Sequence, residues 1–189
     1  MTRWFEDIET DTAYPLGTHL FTAEEIQRFG RLYDPQYFHV DAESAPQGPF
    51  GGLVASGWHT ACVGHRLMVD TLEAESERLR GLGQEPGVSG PSPGVNSMVF
   101  KTPVRPGDSV EYRLIVTGKR PSASLPGWGL LFNTIEGHNR RGELVYRAEV
   151  VAFSKLRDYR MPLSQRLMFA LTRFQQKWRP VLRFGNATK

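Results

Sequence analysis

Two short segments hold the residue types that proton transfer requires. In Tyr33-Asp34-Pro35-Gln36-Tyr37-Phe38-His39-Val40-Asp41 a carboxylate and an imidazole lie five positions apart in a turn-prone stretch. In Pro49-Phe50-Gly51-Gly52-Leu53-Val54-Ala55-Ser56-Gly57-Trp58-His59-Thr60 a Gly-Gly pair opens a long apolar run. An acid beside an imidazole can pass a proton to and from a reacting group. Glycines at a helix start bare main-chain N–H groups and a partial positive charge. Together the segments predict a site that handles a proton beside a carbonyl, with Asp34 and His39 as the acid–base pair and Gly51 and Gly52 at the amide donors.

Each residue also has a plainer reading. Asp-Pro commonly starts a turn, and Asp41 suits a following cap or turn. A single histidine is more often surface or hydrogen-bonded than catalytic. Gly51-Gly52 could serve tight packing alone. Ser56 lacks the strand-to-helix elbow of a nucleophilic serine. His59 and His65 do not share a helix face, and no cysteine or acidic cluster joins them, so no metal is expected.

The surrounding pattern must position these groups. Thr22-Ala23-Glu24-Glu25 is a capping box, and Ile26, Phe29 and Leu32 recur at helical spacing, so a helix over 23–32 delivers the chain to Asp34. Pro35 turns residue 34 away from the helical region and ends that helix. Residues 42–52 are loop-like. From Leu53 to Leu72 apolar residues fall on nearly every side, which predicts a long buried helix. Residues 73–94 are expected to be a helix end and a long loop. Segments 95–100, 110–116, 129–135 and 144–153 alternate as strands, preceded by an entering strand or two within 3–20. Successive strands with short turns imply an antiparallel meander. A sheet that curls around one long helix is the hotdog arrangement, an α+β fold.

The chain has 189 residues, of which 40% are hydrophobic and 23% charged, as expected of one globular domain with a real core. Its single cysteine, Cys62, excludes an intrachain disulfide and is expected to be a buried, inert thiol. No basic-then-apolar leader opens the chain and no apolar stretch reaches the ~20 residues of a spanning helix, so a cytoplasmic protein is expected. The net charge of +3 is uneven. From Lys155 onward nine Lys and Arg face Asp158 alone, leaving the body at −5. No nucleic-acid motif accompanies that charge, and no nucleic-acid partner is expected. The expected division is a domain over 1–157 and a basic tail over 158–189.

In the tail, Leu163, Leu167, Leu171, Phe174 and Trp178 form a helical stripe with Arg166, Arg173, Lys177 and Arg179 on other faces. The first reading is a C-terminal helix docked on its own body or on a partner subunit. The second is a contact with the phosphates of a coenzyme or with an anionic membrane.

The chain resembles the MaoC-like acyl dehydratases, relatives of the (R)-specific enoyl-CoA hydratases, over roughly residues 5–155. The carriers are Phe21-Thr22 with Ile26, Tyr33-Asp34 with His39-Val40-Asp41, Pro49 to Leu53, Ser56 to Thr60, and Pro103-Val104-Arg105-Pro106-Gly107-Asp108. The resemblance implies that Asp34 and His39 hold and activate a water. It implies that the amide of Gly52 receives a thioester oxygen, and that Thr60 lines the site. Asp34 is expected to act as base toward water, with His39 orienting it. The usual hydratase pattern has Asn, Pro and an aliphatic residue where this chain has Gln36, Tyr37 and Phe38. The implied substrate is an acyl-CoA thioester, with no separate cofactor. A thioesterase of the same fold would commonly carry a carboxylate on or just before the central helix, and here the first is Asp70. A non-catalytic acyl-CoA-binding subunit would be expected to lack Asp34 or His39. Because one such sheet exposes an edge, a homodimer or larger homo-oligomer is expected.

Overall fold

The computed structural model describes residues 3–160. Strand β1 (Ala13–Leu20) leads into helix α1 (Ala23–Tyr33), a single turn α2 (Tyr37–Val40) and the long helix α3 (Gly57–Gly81). Strands β2 (Gly94–Phe100), β3 (Ser109–Pro121), β4 (Trp128–Asn139) and β5 (Leu144–Lys155) follow. They form one antiparallel sheet in the order β1-β3-β4-β5-β2. This is the hotdog arrangement that the sequence predicts, with the sheet packed on α3.

Strand β3 shows why the sheet faces α3 as it does. Val110, Tyr112, Leu114 and Val116 are buried at alternate positions, while Glu111 and Arg113 face outward. Leu114 pairs with Ile135 of β4, which pairs with Ala148 of β5, so one apolar row crosses three strands. The first turns of α3 bury His59, Thr60, Ala61 and Gly64; Thr60 and Gly64 meet Tyr112 of β3, while His59 packs against Phe21 and Phe29. Gly64 permits the close approach, since a Cβ there would lie 2.7 Å from the ring of Tyr112. The Tyr112 hydroxyl donates to the Thr60 carbonyl at 2.9 Å, which satisfies a phenol that is otherwise fully buried.

Three expectations change. The meander covers only β3, β4 and β5; β2 crosses the sheet to pair with β5 at the far edge. Helix α3 begins at Gly57 rather than Leu53, because the Val54 and Ala55 amides bond the carbonyls of Phe38 and Val104 instead of starting a helical ladder. The helix end expected within 73–94 takes the helix as far as Gly81, carried by residues such as Leu72, Ala74 and Leu79 with good helix propensity. Cys62 is exposed rather than buried: it shares the outer face of α3 with Trp58 and Val69, so the helix is not enclosed all round. The predicted C-terminal helix lies outside the described residues. Among the described residues, no helix is long and apolar enough to cross a membrane.

Candidate active site

Helix α1 is built to deliver Asp34. Thr22 caps it, its hydroxyl accepting from the Glu25 amide at 3.2 Å, and Ile26 and Gly30 bury its inner face. At the other end Asp34 leaves helical geometry, with φ −150° and ψ 72° before Pro35, while its amide still donates to the Gly30 carbonyl. The single turn α2 follows at once and presents His39, which is buried.

His39 is oriented by the main chain. Its Nδ1 lies 2.7 Å from the Val54 carbonyl oxygen, which can only accept, so Nδ1 carries the proton. In the neutral ring Nε2 therefore presents a lone pair, and it faces Asp34 Oδ2 at 3.4 Å. Asp34 is held from two further directions. Gln36 donates to Oδ1 at 2.9 Å and the Ser56 hydroxyl donates to Oδ2 at 2.7 Å. Burial pushes the Asp34 carboxyl up, but the donors Gln36 and Ser56 and the nearby His39 outweigh it and hold its pKa below the usual carboxylate value.

These groups open into a cavity of about 430 Å³. Asp34, Gln36, His39, Ser56, Lys101 and Thr102 are among its polar lining, Gly57 borders it, and Phe38, Phe50, Trp58, Phe100, Val104 and Val145 supply apolar walls. Thr60 also lines it, with its hydroxyl turned back to the Ser56 carbonyl at 3.4 Å, the self-bonding common to helical threonines. A larger cleft of about 650 Å³ lies at the far end of α3, but its lining residues Glu75 and Arg78 are paired with each other and no acid–imidazole pair enters it.

The structure brings Asp34, His39 and Thr60 to one cavity and leaves Gly51 and Gly52 outside its walls. The Gly51 amide is spent on the Gly48 carbonyl at 3.1 Å. Gly51 and Gly52 adopt φ +63° and +155°, so they act as a bend, and Arg105 fastens the preceding turn by donating to the Phe50 carbonyl at 2.6 Å. The helix start that borders the cavity is Ser56-Gly57. A Cβ on Gly57 would sit 2.7 Å from the Phe100 ring, so only glycine fits there. Sequence reasoning missed Ser56 and the Val54 carbonyl. Ser before Gly at the head of an apolar helical run is an N-cap signal that would have pointed to Ser56; no sequence signal marks a carbonyl as a partner for His39. Asp41 takes the turn role, accepting from the Glu43 amide and the Ser44 hydroxyl.

Comparison with known proteins agrees with this architecture. The family model described as a MaoC like domain matches residues 7–125. The uncharacterized protein YdeM of Bacillus subtilis (strain 168) is 29% identical over 132 residues, covering 70% of this chain and 84% of that protein. The crystal structure of a MaoC-like dehydratase from Rhodospirillum rubrum superposes with a TM-score of 0.66 at 29% identity, covering 85% of this chain and 99% of that one. The (R)-hydratase from A. caviae involved in PHA biosynthesis shares the fold, with a TM-score of 0.54 at 23% identity over 80% of this chain and 99% of its own. With its family match spanning well over half of its length, this chain belongs to the MaoC-like family.

Proposed function

We propose that the protein is a hydro-lyase that adds water to an enoyl thioester, or removes it from a 3-hydroxyacyl thioester, with coenzyme A as the carrier. The observation that supports this most is the Asp34–His39 pair in the lining of one cavity, with Nε2 left unprotonated by the Val54 bond and 3.4 Å from the carboxylate.

Two acceptors 3.4 Å apart suit a water that donates one hydrogen to each. Such a water keeps its own lone pairs free to attack. As its oxygen bonds to the β-carbon, the π electrons move onto the α-carbon and the thioester oxygen. The water proton passes to His39 Nε2, and the Asp34 carboxylate stabilises the imidazolium. The imidazolium then returns that proton to the α-carbon, which restores the neutral ring and leaves a 3-hydroxyacyl thioester. This reverses the expected roles: Asp34, already loaded by Gln36 and Ser56, is the weaker base and the anchor. The thioester oxygen meets the amide of Gly57 and the positive end of α3, in place of Gly52.

The reading includes a homodimer. Among the described residues the outer edge of β2 has no strand beside it, and Val95, Val99 and Phe100 are exposed along it with Trp58 close by on α3. Phe100 and Lys101 belong to the cavity wall, so a second copy added at that edge would cover the cavity. On the thioesterase alternative, Asp70 is paired with Arg66 and stands apart from the cavity lining, which leaves that reading without its carboxylate.

The test is loss of absorbance at the conjugated-thioester band with short, medium and branched enoyl-CoA substrates. Turnover by the wild type that falls about 10²–10⁴-fold in Asp34→Asn and His39→Ala supports the reading. Turnover that survives both substitutions removes the pair from the mechanism.

A further inference from the structure

Ser56 is placed to do more than start a helix. It is 1% exposed and its hydroxyl has two partners: it accepts from the Trp58 amide at 3.2 Å, capping α3, and donates to Asp34 Oδ2 at 2.7 Å. A cap needs only an acceptor. The donated hydrogen is extra, and in a site this buried it requires a partner. That partner is the same carboxylate oxygen that faces His39 Nε2. Gln36 holds the opposite oxygen, so the carboxylate plane is set by two donors from different segments. An Asp or Asn cap would satisfy Trp58 equally well. An ionised Asp, however, could not donate to a second carboxylate, whereas the serine hydroxyl accepts and donates through one atom.

We propose that Ser56 is a positioning residue, whose hydroxyl fixes Asp34 Oδ2 against His39 and ties the acid–base pair to the first turn of α3. The catalytic consequence rests on the hydratase reading above; the contact itself does not. The side chains facing Asp34 are His39 from α2, Gln36 from the α1–α2 link and Ser56 from the head of α3, and Lys101 is the other charged residue of the cavity lining.

The test separates cap from clamp. Ser56→Gly removes the hydroxyl, yet glycine is nearly as good a cap, so α3 should survive. Ser56→Thr keeps both functions. The expected result is a fall in kcat of about ten- to a hundredfold in Ser56→Gly with KM changed by less than about threefold, and recovery in Ser56→Thr. An activity-free readout runs in parallel: carbon NMR titration of the Asp34 carboxyl, assigned by comparison with Asp34→Asn. Its midpoint should move to higher pH in Ser56→Gly and return in Ser56→Thr. An unchanged kcat in Ser56→Gly, or an unchanged Asp34 titration, overturns the proposal. If the wild type turns over none of the enoyl-CoA substrates, the hydratase reading fails on its own. The titration then decides the role of Ser56.

Discussion

The Nδ1 of His39 donates to the carbonyl oxygen of Val54 across 2.7 Å, and this one bond decides which face of the imidazole is basic. Val54 can serve because residues 53–55 precede the helix, with the Val54 and Ala55 amides bonded to the Phe38 and Val104 carbonyls. Asparagine can place a side-chain amide where Nδ1 sits but offers no basic nitrogen at the Nε2 position. His39→Asn should therefore keep a melting temperature within a few degrees of wild type and lose about 10²–10⁴ in kcat. A near-native rate in this variant would show that the imidazole lone pair is not the proton acceptor.

His59 predicts an acid-sensitive fold. It stacks on Phe29 with centroids 4.6 Å apart, and its buried Nδ1 has no hydrogen-bond partner among the described residues. Burial lowers its pKa to about 4, with Glu25 opposing and His19 and Arg28 assisting. The unfolded imidazole binds its proton near pH 6.5, so between 6.5 and about 4 the unfolded state holds more protons and stability falls as pH falls. Above 6.5 this group adds no pH dependence. The loss approaches about 3 kcal/mol at the acid end. Urea melts at pH 7 and pH 4.5 should differ less in His59→Phe than in wild type; equal differences in the two proteins would rule this out.

Gly64 tests the contact between helix and sheet. An alanine there gains helix propensity of about 1 kcal/mol. Its Cβ, however, would stand 2.7 Å from a Tyr112 ring that is fully buried and anchored to the Thr60 carbonyl. The clash should win, giving a net loss of about 1–2 kcal/mol in Gly64→Ala by denaturant unfolding. A stabilised variant would mean that the ring can yield.

The β2 edge predicts assembly. Two lysines in Val95→Lys/Val99→Lys place charge along the edge strand without touching the cavity lining. Light scattering at micromolar concentration should report a dimer for wild type and a monomer for the double variant. A wild-type monomer would contradict the homodimer directly.

How far the sequence could be read depended on the range of the forces involved. Helix α1 and the break at Asp34 are local events, written by Thr22, Glu25 and Pro35, and they were legible to within a residue. Strand β3 was legible over 110–116, where Val110, Tyr112, Leu114 and Val116 alternate, but its continuation to Pro121 was not. The start of α3 was not. Leu53, Val54 and Ala55 are apolar enough for a helix, but the Val54 and Ala55 amides are taken by long-range bonds to Phe38 and Val104. That four-residue error put the expected helix head beside Gly52, whereas the head of α3 that borders the cavity is Ser56-Gly57. The crossing of β2 to the far side of β5 was illegible for the same reason, since strand neighbours are chosen by the finished sheet. Cys62 was misjudged because an apolar surrounding sequence does not say which side of a helix faces the core.

Pro35 touches neither proton nor ligand in any step proposed above, yet it sets the address of the acid. Were α1 free to wind one more turn, the carboxyl of residue 34 would rotate with it by about 100° per residue and leave the hollow altogether. The imide ring thus acts as a stop on a rotating shaft. In descendants of this chain the chemistry could be lost at position 35 with every polar partner intact.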